Sequence, residues 1–181
     1  SSIIYLAALL LGLALPIAII YIRILFDTKV HSLQDLAKFK IPALGEIPKG
    51  DDTDRAIVVT KNSRTHISEA FRMVRTNLAY MLEQEQQGCK TIMITSTISG
   101  EGKTFVSINI GHSLAHSDKK TLVLGLDLRA PKISRYVDIP QTVGVTNYIV
   151  NTDLTIDDLV INDPSNSNLD YIISGDIPPN P

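Results

Sequence analysis

Thr97–Thr104 reads TISGEGKT, and it lies between an apolar run, Lys90–Ser96 (KTIMITS), and a helical pattern, FVSINIGHSLAHS. A short apolar run rich in β-branched residues reads as a buried strand. Phe105, Ile108, Ile110, Leu114 and Ala115 then recur at helix spacing. Strand, glycine-rich loop, GKT and helix in that order predict an α/β fold of the P-loop NTPase type, a parallel sheet with flanking helices. The residue types follow from the chemistry. Gly100 and Gly102 let the backbone turn sharply and aim N–H groups at phosphate oxygens. The helix N-terminus adds partial positive charge. Lys103 is expected to reach the β- and γ-phosphates, and Thr104 to offer a hydroxyl to Mg²⁺. Ser99, Gly100, Glu101, Gly102, Lys103, Thr104 and Phe105 form the expected phosphate-binding segment. One position departs from G-x-x-x-x-G-K-[ST]: Thr97 stands where the first glycine belongs.

The next strand is expected over Thr121–Arg129, TLVLGLDLR, giving a β-α-β unit and hence parallel pairing with a right-handed crossover. Asp127 falls at the carboxyl end of that strand, the edge where open α/β sheets bind ligands. A carboxylate there can hold Mg²⁺ or can cap the next turn. Leu169–Ser174 (LDYIIS) reads as a third core strand and GDIPPNP as a loop. Leu159–Asp163 (LVIND) looks like a strand ending in an aspartate, but its setting before Pro164 favours a short helix end.

Residues 65–87 show the clearest amphipathic helix. Ile67, Ala70, Phe71, Val74, Leu78, Met81 and Leu82 recur at three- and four-residue intervals, with Thr65 as cap. Glu69, Arg72 and Arg75 form a second stripe directed away from the apolar one. By spacing alone that stripe is a solvated face with i,i+3 ion pairs.

The N-terminal residues have a different character. Residues 1–22 contain no Asp, Glu, Lys or Arg, although 20% of the 181-residue chain is charged. Ile3–Ile22 would span roughly 30 Å as a helix, the hydrocarbon thickness of a bilayer. Pro16 is expected to kink it, and Tyr5 and Tyr21 sit near its ends. A signal peptide would carry its positive charge before the run, whereas Arg23 follows it. An uncharged run of this length is rare in a soluble core. Arg23, Lys29, Lys38, Lys40 and Lys49 place the downstream side in the cytoplasm. The expected organisation is therefore a transmembrane helix over 1–24, a cytoplasmic connector over 25–64 and a nucleotide-binding domain over 65–181. Within the connector, Ser32 is expected to cap a short helix through Leu33 and Leu36. IPALGEIPKGDD should be extended, and AIVV can form a short strand. The chain begins at Ser1, without methionine, and is expected to be a piece of a longer protein.

Composition excludes other classes. Seventeen basic against nineteen acidic residues make no electrostatic case for nucleic acid. Cys89 is the single cysteine, so neither an internal disulfide nor a Cys-rich zinc site can form. His112 and His116 are four apart, but Ser113 stands where a zinc protease needs glutamate.

Taken in order, the apolar helix, DTKVHSLQDL, IPALGEIP, SEAFRMVRTNL, the phosphate loop, LDLRAP, GVTNYI and SGDIPPNP resemble one family. It is the bacterial tyrosine autokinases of capsular and exopolysaccharide biosynthesis, which carry a chain-length-determinant membrane module. The resemblance implies ATP and Mg²⁺ as cofactors and Lys103 and Asp127 as catalytic residues, with Thr104 and Asp127 serving the metal. SEAFRMVR matches the family's E-x-x-R-x-x-R signature, which implies that Glu69, Arg72 and Arg75 mediate ring assembly. The implied partners are further copies of the chain, the inner membrane, the polysaccharide polymerisation and export machinery, and a tyrosine phosphatase. LVLGLDLR matches the acidic motif D-x-D-x-R with Gly125 at the first aspartate, where the family's base is proposed. The Walker B aspartate and the tyrosine-rich tail of the family lie beyond the matching residues, and Tyr80, Tyr136, Tyr148 and Tyr171 form no cluster. The other reading is an assembly scaffold that binds nucleotide and phosphorylates nothing.

Overall fold

The computed structural model describes residues 2–27, 30, 33–37, 39–49, 56–83, 88–140 and 143–177. Lys29, Ser32, Lys38, residues 84–87 of the expected long helix and the last four residues lie outside that set. The chain divides into two compact units, residues 1–43 and 44–181.

The first unit holds α1 (Ser2–Leu25) and the short α2 (Leu33–Ala37). Among its described residues, α1 carries Arg23 as its single charge, contains Pro16 and has no buried residue. It is long and apolar enough to cross a membrane.

The second unit begins at Leu44, so the expected boundary at residue 65 moves toward the N-terminus. The reason is packing. Leu44, Ile47, Val58 and Val59 lie on the core formed by Phe71, Val74 and Leu78 of α3 (His66–Glu83) and Ile110 of α4 (Lys103–Ala115). Thr65 caps α3 as expected, with its Oγ1 accepting from the Ser68 N–H at 3.3 Å. AIVV makes no ladder. Val58 and Val59 instead donate their N–H groups to Asn109 Oδ1 at 2.8 and 3.1 Å.

The sheet has three strands in the order β1-β3-β2: β1 Thr121–Leu124, β2 Ile161–Asn162 and β3 Leu169–Ile172. β1 runs parallel to β3, with Val123 opposite Tyr171, and β2 is antiparallel to β3. Between β1 and β2 come α5 (Ile133–Tyr136), α6 (Val145–Val150) and a 3₁₀ turn, Asp157–Leu159. The third core strand is therefore where the sequence predicts it. Lys90–Ser96 is not in this sheet. It makes no ladder, and Met93 is 85% exposed. Periodicity reports a run's preference for extended backbone, whereas a strand also needs an edge to pair with. The parallel pair observed is β1–β3 and not the one expected across α4.

Helix α4 packs against the sheet through Gly111, where a Cβ would lie 2.6 Å from Val123 Cγ2. That close approach explains a glycine in mid-helix despite its cost of about 1 kcal/mol in propensity. The other face of β1 is open: Leu122, Leu124 and the following Leu126 are all exposed.

A polar network is buried where α4 meets β3. Tyr171 donates to Asp163 Oδ2 at 3.1 Å, and its oxygen lies 3.0 Å from His112 Nε2. Asp163 thus ends LVIND as a partner of the core tyrosine. Burial raises the Tyr171 pKa, and the Asp163 carboxylate raises it further. Burial also lowers the His112 pKa; Asp163 opposes this and His116 adds to it. A histidine held neutral in the fold contributes stability above its ordinary range, about 6.5, and that stability is lost as pH falls. Chemical denaturation should therefore show falling stability between pH 7 and 5.5, with a shallower slope in His112→Gln. An identical slope in the variant would remove His112 from the titration.

Candidate phosphate-binding site

The loop before α4 has the backbone that phosphate binding requires. Gly100 and Gly102 have φ of 91° and 90°, the left-handed region that other residues avoid. Neither position is crowded, since an added Cβ would meet nothing within 4 Å. The two glycines are therefore there for their backbone angles and not for space. Gly102 is also the N-cap of α4, and no side chain caps its first turn. The free N–H groups of a helix start are the donors an anion uses.

Lys103 lies across this loop, donating to Ser96 Oγ at 2.8 Å and to the Ile98 carbonyl at 3.3 Å. The end of KTIMITS thus joins the site without joining the sheet. Glu101 is not among the residues that line the cleft. The Ile98 N–H and the Ser96 hydroxyl hold its carboxyl below the usual range, with smaller contributions from Thr97 and Lys103. Ile98 donates to its Oε2 at 3.4 Å and Thr97 Oγ1 lies 3.5 Å from Oε1, so Glu101 braces the loop.

Ser99, Gly100, Gly102, Lys103, Thr104, Phe105 and Asp127 line one cleft of about 150 Å³. The loop and the segment that follows β1, distant in sequence, thereby share one cleft. Asp127 makes the turn-capping bond that one of its sequence readings expects. Its Oδ1 accepts from the Ala130 N–H at 3.0 Å, capping the next turn, while the residue faces the phosphate loop. Thr104 and Asp127 place a hydroxyl and a carboxylate on the same cleft, a hard-oxygen donor set that suits Mg²⁺. Lys132 and Tyr136 line the cleft as well. Sequence reasoning missed them because α5 is only four residues long, too short for a periodic signal. A cation five residues after Asp127 was the available clue. At Gly125, a Cβ would meet Ile133 Cδ1 at 2.9 Å, so an aspartate there would have to displace that side chain.

The Glu69, Arg72 and Arg75 stripe is placed differently from expectation. Glu69 is exposed and pairs with Arg72. Arg72 Nη2 also donates to the Ser63 carbonyl at 2.6 Å, and Arg75 Nη1 to the Ser113 carbonyl at 3.0 Å. Both arginines are half-buried, and Arg75 joins α3 to α4. The helix wheel places them off the apolar stripe correctly, but it cannot show that a second helix offers a carbonyl there.

Residues 92–169 match the CobQ/CobB/MinD/ParA nucleotide binding domain. Tyrosine-protein kinase YwqD of Bacillus subtilis is 30% identical over 133 residues, covering 74% of this chain and 54% of the relative. Tyrosine-protein kinase wzc of Salmonella typhi is 26% identical over 197 residues, covering 100% of this chain and 27% of the relative. The solved structure of the chimerical protein CapA2B2 superposes with a TM-score of 0.70 at 28% identity, covering 82% of this chain and 62% of that one. The chain thus spans about half the length of the shorter relatives and about a quarter of the longer ones. The matches run through both the phosphate loop and the E-x-x-R-x-x-R helix, and in sequence and fold the chain is similar to these bacterial tyrosine-protein kinases.

Proposed function

We propose that this chain supplies the phosphate-binding part of an ATP-dependent protein-tyrosine autokinase that regulates the length and export of a capsular or exopolysaccharide. The observation that carries the proposal is the single cleft shared by Lys103, Thr104 and Asp127 on a loop with two left-handed glycines. Bound ATP with Mg²⁺ supplies the phosphoryl group and neutralises the charge that develops on it. At about 150 Å³ the cleft has room for the phosphate end only. The α4 N-terminus orients the phosphate oxygens. Lys103 exchanges its bonds to Ser96 and Ile98 for phosphate oxygens, and Thr104 and Asp127 hold the metal. Gly125 leaves no carboxylate at the position of the family's base, which is the feature that favours a scaffold without transfer. Relatives named as kinases favour transfer.

Lys103→Met in the full-length parent should abolish autophosphorylation without unfolding the domain, because it removes a phosphate contact from a surface loop. Asp127→Asn should weaken the magnesium dependence of nucleotide binding. An undiminished phosphotyrosine signal in Lys103→Met would exclude the loop as the site of transfer.

In the same reading, α1 anchors the chain in the inner membrane with residues 25–181 in the cytoplasm. Kinase domains meet around the Glu69, Arg72 and Arg75 stripe, so that one copy phosphorylates another; the export machinery and a phosphatase act on the assembly. The internal bonds of both arginines change what mutation should do. Arg75→Ala removes a charged hydrogen bond between two helices and should cost about 1–3 kcal/mol of stability. Glu69→Ala removes an exposed pair worth at most about 1 kcal/mol. Light scattering should therefore show a smaller species for Glu69→Ala at unchanged thermal stability, while Arg75→Ala loses both. An unchanged oligomer in Glu69→Ala would leave that carboxylate outside the contact.

A further inference from the structure

The larger cleft on the second unit, about 620 Å³, lies away from the phosphate loop, between the bend at residues 59–64, α3 and α4. Lys61, Arg64, Arg72 and Arg75 line it with His116 and Ser113, and Glu69 is its one carboxylate. Four permanent cations against one carboxylate leave a surplus of positive charge in a concave site, where field lines concentrate. Glu69 is already taken by Arg72. Lys61 and Arg64 have no ion pair or hydrogen bond among the described residues. The field reaches His116. Burial lowers its pKa, Asp163 opposes this, and Lys61, Arg72 and Arg75 each lower it further.

Ser113 on the α4 wall gives an independent observation. The residue is fully buried, and its Oγ is the one buried side-chain polar atom without a partner among the described residues. The Ser113 carbonyl accepts from Arg75 Nη1 at 3.0 Å, which keeps that guanidinium on the wall of the cleft.

The geometry points to a second oxyanion site, separate from the phosphate loop, that binds a small di- or triphosphate through Lys61, Arg64 and Arg75. A single carboxylate would neutralise only part of the surplus charge. Guanidinium forks match phosphate oxygens, and the cleft has the size of ordinary small-molecule sites. The site uses none of the phosphate-loop residues, so its failure and the failure of the nucleotide reading are distinguishable, but it shares Arg75 with the contact between copies proposed above.

The test uses the full chain in detergent micelles carrying Lys103→Met, so that phosphate binding at the loop is suppressed. Inorganic pyrophosphate is titrated calorimetrically at constant ionic strength. Saturable binding is expected, weakened about tenfold or more in Lys61→Gln/Arg64→Gln. No saturable binding, or an unchanged dissociation constant in the double variant, would overturn the site. Glutamate binding as tightly as pyrophosphate would overturn its assignment to phosphates.

Discussion

The Asn109 carboxamide is fully buried on α4 and makes four hydrogen bonds. Its oxygen accepts from the Val58 and Val59 N–H groups, and its amide donates to the Ala56 carbonyl at 2.9 Å and the Phe105 carbonyl at 2.9 Å. Those bonds satisfy the backbone of a segment that has no sheet to join. They let Val59 enter the core beside Phe71, and Phe71 meets Phe105 edge-on at 5.7 Å. The same helix opens at Lys103 with the phosphate loop and approaches β1 at Gly111. A loop that must aim several N–H groups at one anion needs a helix that does not shift, and Asn109 is the bond that holds this helix to the segment before it.

Positive charge is used twice on this frame. At the α4 N-terminus it comes from free N–H groups and one lysine. Along the other side of α4 it comes from guanidinium groups of α3 and a lysine of the preceding bend. The α3 arginines there also fasten the helix through their carbonyl contacts, and Arg72 spends its other nitrogen on Glu69. In the assembly proposed above, loss of an arginine from the stripe would therefore mix stability with recognition, and Glu69 is the member that would separate them.

Local pattern made much of this legible. SGEGKT specifies loop, helix start and ligand chemistry together, and the apolar stripe of α3 is long enough to be read without ambiguity. LDYIIS is the central strand of the described sheet. The rest depends on contacts between residues far apart in sequence. IPALGEIP reads as a connector because prolines and glycine break its periodicity, yet Leu44 and Ile47 lie on the core. KTIMITS reads as a strand, yet β1 pairs elsewhere. An asparagine in a helix has no pattern that announces four buried bonds. The His112, Tyr171 and Asp163 network joins residues up to 59 positions apart. Lys132 and Tyr136 reach the cleft only because the chain turns back after β1.

The central claim is that Asn109 joins residues 56–59 and α4 into one cooperative unit that supports the phosphate loop. Native-state hydrogen exchange tests it directly. The Val58 and Val59 amides should exchange with the same opening free energy as the amides of Ile108–Ala115, although they belong to no helix or ladder. In Asn109→Ala they should lose protection, and α4 should become less stable with them. Rapid exchange of Val58 and Val59 in the unaltered chain, while α4 stays protected, would contradict the account.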